Sequence, residues 1–145
     1  VIFRQAGIQD IERKDFRELV LRGLQAEKIG MTPSWPKLES LALLAIEEGF
    51  WACAEHDDKV VAHIMALVGD NPMFYGRQAQ VIAWYSEHPG AGFSLLNRFA
   101  DWAAEQHVVS VSINTNLDER LSEFLKQAGW LMCPSYLKVV RTLDS

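Results

Sequence analysis

The chain has 145 residues, 49% of them hydrophobic and 23% charged, and a formal net charge of −5 at pH 7. That length suits one domain, residues 1–145, with a self-sufficient core. No apolar run approaches the roughly 18 residues of a membrane-spanning helix, and no stripe of Lys and Arg offers to hold nucleic-acid phosphates, so neither a membrane nor a nucleic acid is expected as partner.

Val1–Gln5 alternates weakly and predicts a first strand. Asp10 is placed to cap a first helix, in which Phe16, Leu19, Val20 and Leu24 recur at helical spacing. This helix should fade near Ile29-Gly30, and the prolines of Thr32–Pro36 predict a loop. A second helix puts Leu38, Leu41, Leu44 and Ala45 on one side and Glu39, Glu47 and Glu48 on the other, and ends at Gly49. From Phe50 the period changes to that of strands. Phe50–Glu55 and Val60–Val68 read as a hairpin about His56–Lys59, Gly69–Gly76 as a loop, and Ala79–Tyr85 as a third long strand. Helix Gly92–Gln106 then buries Leu95, Leu96, Phe99, Trp102 and Ala103. Next come a strand at Val108–Ile113 and a helix after Leu117 that packs Leu121, Phe124, Leu125 and Ala128 and stops at Gly129. Trp130–Cys133 and Tyr136–Thr142 supply closing strands. A hairpin succeeded by βαβ units predicts an α/β (α+β) fold, a mixed sheet with helices on both faces.

Cys53 and Cys133 stand alone in apolar segments and read as buried free thiols of a reducing cytoplasm. The first residues lack the pattern of a secretory leader, which also points to a cytoplasmic protein. The four histidines are scattered, and no metal site is expected.

The most informative stretch is Val81–Leu96, an apolar strand running through a glycine-containing turn into an amphipathic helix. The first turn of a helix leaves N–H groups unpaired, and with the helix dipole they form a ready site for a phosphate. Gly90 and Gly92 carry no Cβ and would let a ligand approach the backbone. Many turns of this kind do nothing but turn, so the pattern alone is a weak signal.

Two motifs give the chain a wider resemblance. Glu87-His-Pro-Gly90-Ala-Gly92, with Phe93, Ser94 and Leu95-Leu96 after it, is similar to the Arg/Gln-x-x-Gly-x-Gly/Ala turn of the GNAT superfamily of acyl-CoA N-acyltransferases. Asp118-Glu-Arg-Leu-Ser-Glu-Phe124-Leu125-Lys-Gln-Ala-Gly129-Trp130 keeps the spacing, the Phe, the Gly and the final aromatic of a second GNAT pattern. The order of elements resembles that family over nearly the whole chain. The resemblance implies a mainly antiparallel sheet of six or seven strands, splayed after the fourth. Acetyl-CoA or another short acyl-CoA is the implied donor. Its pantetheine arm would lie along Ile82, Ala83 and Trp84 as an added strand, and its pyrophosphate on the turn formed by Glu87, His88, Gly90, Ala91, Gly92 and Phe93, with Asp118 at the next helix start. The implied reaction is acyl transfer to a primary amine, on a small molecule or a protein, by direct attack in a ternary complex.

The departures from the family pattern are specific. Glu87 stands where Arg or Gln is usual, and Pro89 removes one N–H donor. Leu125 replaces a Tyr that protonates the departing thiolate, and Asp118 replaces an Asn. The start of the fourth strand offers only Arg77, Gln78 and Gln80 where some members carry a Glu base. Such erosion resembles divergent phage-encoded members, some associated with virions, and gives the alternative of a structural or interaction protein that has lost catalysis. The remaining proton-donor candidates are Tyr85 and Tyr136, against the blander reading of packing residues with wet hydroxyls. Trp35, Glu39 and Glu47 are the candidate acceptor contacts, against a solvated helix face. Many family members form homodimers, for which Trp35, Met73, Phe74 and Tyr75 are candidate contacts.

Overall fold

The computed structural model describes residues 1–113, 119–133 and 138–141. Its elements in order are β1 (Ile2–Gln5), α1 (Ile8–Ile11), α2 (Lys14–Ala26), α3 (Trp35–Glu48), β2 (Phe50–His56), β3 (Lys59–Asp70), β4 (Arg77–Ser86), α4 (Ala91–Glu105), β5 (Ser110–Ile113) and α5 (Glu119–Gln127). The strands form one sheet in the order β1-β2-β3-β4-β5, antiparallel from β1 to β4, with β5 parallel to β4.

The sheet has five strands among the described residues, not six or seven. The expected strand at Trp130–Cys133 does not form, and Lys138–Arg141 is irregular as well; 134–137 and 142–145 lie outside the described residues. The end of α5 gives a physical reason. Trp130 N–H bonds back to the Leu125 carbonyl at 2.9 Å and Gly129 N–H to the Lys126 carbonyl at 3.1 Å, with Gly129 at φ 93°. This Schellman closure uses the Trp130 N–H to cap a helix and turns its ring onto the core.

Side chains alternate between two apolar layers. Phe50, Ala52, Ala54, Ala62, Ile64 and Ala66 face α4 and α5, where Leu95, Leu96, Phe99 and Leu125 complete one core. Trp51, Cys53 and Met65 face α1, α2 and α3, against Ile11, Phe16, Leu19, Val20, Ala42 and Ala45. The burial expected of α3 is partly displaced. Ala42 and Ala45 are its buried residues, whereas Leu44 is 40% exposed. Trp35 and Pro36 belong to the first turn of α3 rather than to a loop, a position where the missing proline N–H costs nothing. Cys53 is buried as expected, and Cys133 is exposed.

Asp10 does not cap α2. It lies inside α1, where it accepts the Gly7 N–H at 2.7 Å and a two-bond grip from Arg4 at 2.8 and 2.7 Å. Arg4 also holds Glu55, which Arg13 shares at 2.9 Å, and Arg13 binds Asp15 in turn. One charged chain thus ties β1, α1, β2 and the start of α2 together. The loop between β3 and β4 is closed by Asn71, whose Oδ1 accepts the Met73 and Phe74 N–H groups, and it leaves Met73, Phe74 and Tyr75 exposed. Among the described residues no helix is long and apolar enough to cross a membrane.

Candidate functional site

The site begins with a defect in β4. Met65 faces Ala83 while Ala66 faces Val81, so Ile82 is an extra residue with no partner on β3. This bulge resets the alternation: Val81 points to the α4 layer, Ile82 and Ala83 both pack toward α2, Trp84 returns to the α4 layer and Tyr85 to the α2 side. A bulged strand bends and twists more strongly than its neighbours. Pairing of β4 with β5 runs from Gln78↔Ser110 to Val81↔Ile113 and extends no further among the described residues, whereas β4 keeps β3 as partner to Ser86↔Ala62. The outer edge of Ile82–Ser86 therefore has no strand partner among the described residues. An open edge carries N–H and C=O groups ready to pair with an extended ligand.

At the end of that edge the chain turns sharply. Glu87 N–H returns to the Val61 carbonyl at 2.8 Å, and the Ser86 hydroxyl both donates to the His88 carbonyl at 2.8 Å and accepts the His88 N–H at 3.2 Å. Gly90 comes next at φ 79°, ψ −18°, the left-handed region where a side chain is strained, and serves as N-cap of α4. Ala91 N–H is taken by the His88 carbonyl at 3.2 Å, and Ser94 N–H starts the helix on the Gly90 carbonyl at 3.2 Å. The N–H groups of Gly90, Gly92 and Phe93 have no partner among the described residues, and no side chain caps them. Three donors without a partner among the described residues thus stand together at the positive end of a 15-residue helix.

The two glycines act differently from one another. A Cβ on Gly90 would meet nothing within 4 Å, so it is the left-handed backbone and not close packing that calls for glycine there. A Cβ on Gly92 would lie 3.1 Å from the Ser86 Cβ and 3.5 Å from the Trp84 Nε1. Its smallness therefore serves the protein's own packing, and Trp84 Nε1 donates to its carbonyl at 3.0 Å.

Glu87 does not face this turn as a bare charge. Arg22, on α2, donates from Nε and Nη2 to its two carboxylate oxygens at 2.8 and 2.7 Å, and the Tyr85 hydroxyl donates to Oε2 at 3.1 Å. The Arg22 bond, and after it the Tyr85 bond, hold the Glu87 carboxyl below the usual carboxylate range against modest burial. Burial, and next the bond to Glu87, push the Tyr85 phenol above its ordinary value, so it stands as a neutral donor committed to Glu87.

The remaining candidates divide. Phe93 stacks its ring on Phe124 of α5 at 4.2 Å, with Trp84 edge-on at 6.2 Å, so its side chain belongs to an aromatic row while its N–H stays open. Ala91 is buried at the start of α4. His88 is half-buried with its ring 4.9 Å from His56. Leu125 is 5% exposed in the α4–α5 core and serves packing. Trp35, Glu39 and Glu47 sit on α3. Arg17 lies 4.9 Å over the Trp35 ring, Glu39 is half-buried, and Glu47 is exposed. None of the three is bonded to the end of β4. Tyr136 and Asp118 lie outside the described residues. Sequence reasoning missed Arg22 and its neighbour Gly23. A Cβ on Gly23 would come within 2.7 Å of the Tyr85 Cβ, so the glycine lets α2 lie directly on the end of β4. A glycine inside a helical pattern was the available signal.

No family model matches the sequence, and no curated protein matches it. Solved structures do resemble the fold. A predicted acetyltransferase with acetyl-CoA from Clostridium acetobutylicum is 18% identical, with a TM-score of 0.74 over 95% of this chain and 94% of its own. Ribosomal-protein-alanine N-acetyltransferase from Brucella melitensis biovar Abortus is 19% identical, with a TM-score of 0.67 over 96% and 99%. An aminoglycoside acetyltransferase from an uncultured soil metagenomic sample, in complex with sisomicin, is 14% identical, with a TM-score of 0.66 over 99% and 96%. At these identities the likeness is one of fold. It is the mixed α/β acetyltransferase fold that the order of elements led us to expect.

Proposed function

We propose that this chain is a single-domain acyl-CoA N-acyltransferase of the GNAT superfamily, which takes an acetyl or other short acyl group to a primary amine. The observation that carries the reading is the succession along the chain of two surfaces without partners among the described residues, the outer edge of Ile82–Ser86 and the N–H groups of Gly90, Gly92 and Phe93. The first fits an extended arm with amides, the second a phosphate group, and both are backbone features that side-chain drift leaves intact. Acyl-CoA would supply a thioester already activated toward amines.

The chain's own residues divide the work. The edge of Ile82, Ala83 and Trp84 would orient the arm, and a β4 N–H there would polarise the acyl carbonyl. Gly90, Gly92 and Phe93 would hold the phosphates, with His88 beside them. Tyr85 lies at the phosphate end, about 10 Å of strand from Ile82 at 3.3 Å per residue. In this reading it anchors Glu87 rather than passing a proton to the thiolate. That leaves Tyr136 as the candidate acid, with water as the other carrier of the proton. The acceptor would enter near Trp35, Glu39 and Glu47, whose carboxylates suit a cationic amine. The aminoglycoside and ribosomal-protein acetyltransferases of similar fold act, by name, on a small molecule and on a protein, which supports an acceptor of either kind here.

A thiol-detecting assay of acetyl-CoA with a panel of amines and amino-terminal peptides tests the activity. Amine-dependent thiol release supports the transferase. One observation favours the second reading, a protein that keeps the fold without catalysis: Leu125 fills a core position and offers no proton. Acetyl-CoA binding with no transfer to any amine would select that reading.

A further inference from the structure

Position 87 poses an electrostatic problem. Its carboxylate precedes the open N–H groups by one turn of chain, where a negative charge opposes any phosphate. The solution comes from another element. Arg22 spends Nε and Nη2 on Glu87, while its Nη1 hydrogens have no partner among the described residues, and its side chain is 47% exposed. Tyr85 holds the same carboxylate from the strand side, and Gly23 lets α2 come close enough to deliver the guanidinium. An Arg–carboxylate fork is fixed in direction and leaves donors to spare, which a lysine would not do.

We infer that Arg22 is a specificity-determining residue of the anion site, a cation brought from α2 that cancels Glu87 and lets the turn accept the phosphates of a nucleotide-bearing acyl thioester. The inference rests on the acyl-CoA reading. It also explains how the turn carries a glutamate where the related pattern carries Arg or Gln: the added negative charge is neutralised from another element.

Calorimetric titration of acetyl-CoA into the wild type, R22Q, E87Q and R22Q/E87Q at low salt tests it. R22Q leaves Glu87 without a cation, held only by the Tyr85 hydroxyl, and its affinity should fall about tenfold. E87Q frees a whole guanidinium and should bind about threefold tighter. R22Q/E87Q should return to within about threefold of the wild type, because the repulsion is gone with the cation. Melting temperatures should stay close together, since an exposed pair contributes little to stability. Wild-type affinity in R22Q, or a double variant as weak as R22Q, overturns the inference while leaving the acyl-CoA reading intact. No binding by the wild type overturns both. Should R22Q fail to fold, E87Q decides alone: tighter binding supports the role of Arg22, and unchanged or weaker binding overturns it.

Discussion

Asp10 keeps its charge while its side chain has no solvent exposure. Burial alone would push its carboxyl up, but the bonds from Arg4 and Gly7 outweigh it and hold the group below the usual range. Removing Asp10 strips Arg4 of its two-bond partner, leaving it Glu55 as carboxylate partner, and leaves the Gly7 N–H unpaired. D10A should therefore lose about 2 kcal/mol in urea unfolding, and a loss below about 1 kcal/mol would contradict the clamp. Among the described residues His63 is the other buried polar one. Trp51 Nε1, which only donates, lies 3.3 Å from its Nδ1, so that nitrogen is the unprotonated one. Burial lowers the His63 pKa from 6.5 to about 4. Between those values the unfolded chain binds a proton that the folded chain refuses, so stability falls as pH drops through that window and the effect levels off below about 4. The slope approaches about 1.4 kcal/mol per pH unit. H63Q should flatten the curve between pH 6 and 5, and an unchanged slope would refute the assignment. The carboxylates act lower down, since the depressed values of Asp10, Asp15 and Glu55 mean that their contribution disappears as pH falls through the carboxylate range. At this scale the sequence announced Gly90, whose backbone requires a residue without Cβ, but not Arg22. A single arginine on a solvated helix face looks like any other until the fold sets it against Glu87.

Among the elements, the end of β4 depends on a bulge and a turn that were legible to different degrees. The turn was readable because proline fixes φ and glycine alone takes a left-handed backbone without strain. The bulge at Ile82 was not, because it is a mismatch of count between two strands and no residue type requires it. The same holds for strand number. Trp130–Cys133 has the apolar character of a strand, yet the preceding Gly129 commits its first N–H to closing α5. The turn makes a prediction that separates its glycines. G90A places a side chain at φ 79° in open space, and should cost about 1–2 kcal/mol in stability while leaving room for the ligand. G92A instead presses on Ser86 at 3.1 Å. It should disturb the Ser86–His88 bonds and weaken acetyl-CoA binding by more than it lowers the melting temperature. Equal effects of the two variants on both quantities would show that the turn does not divide its work in this way.

For the whole molecule, the order of the main elements as far as α5 and the buried faces of α2 and α4 came from periodicity, whereas the division of Phe50–Ala54 between two apolar layers is visible only in the fold. The acceptor side was less legible. Trp35, Glu39 and Glu47 share a helix but spread over about 18 Å of its axis at 1.5 Å per residue, and no bond joins them to the end of β4. The proposed function turns on a phosphate-bearing thioester filling the open edge and the open N–H groups together. The most direct measurement is thermal unfolding of the purified protein with and without acetyl-CoA, with calorimetry to fix the affinity. At about 100 times its dissociation constant the ligand should stabilise the native state by about 2.7 kcal/mol, a rise of several degrees. No rise and no heat at millimolar acetyl-CoA would contradict that claim, leaving an acetyltransferase fold maintained for some use other than its cleft.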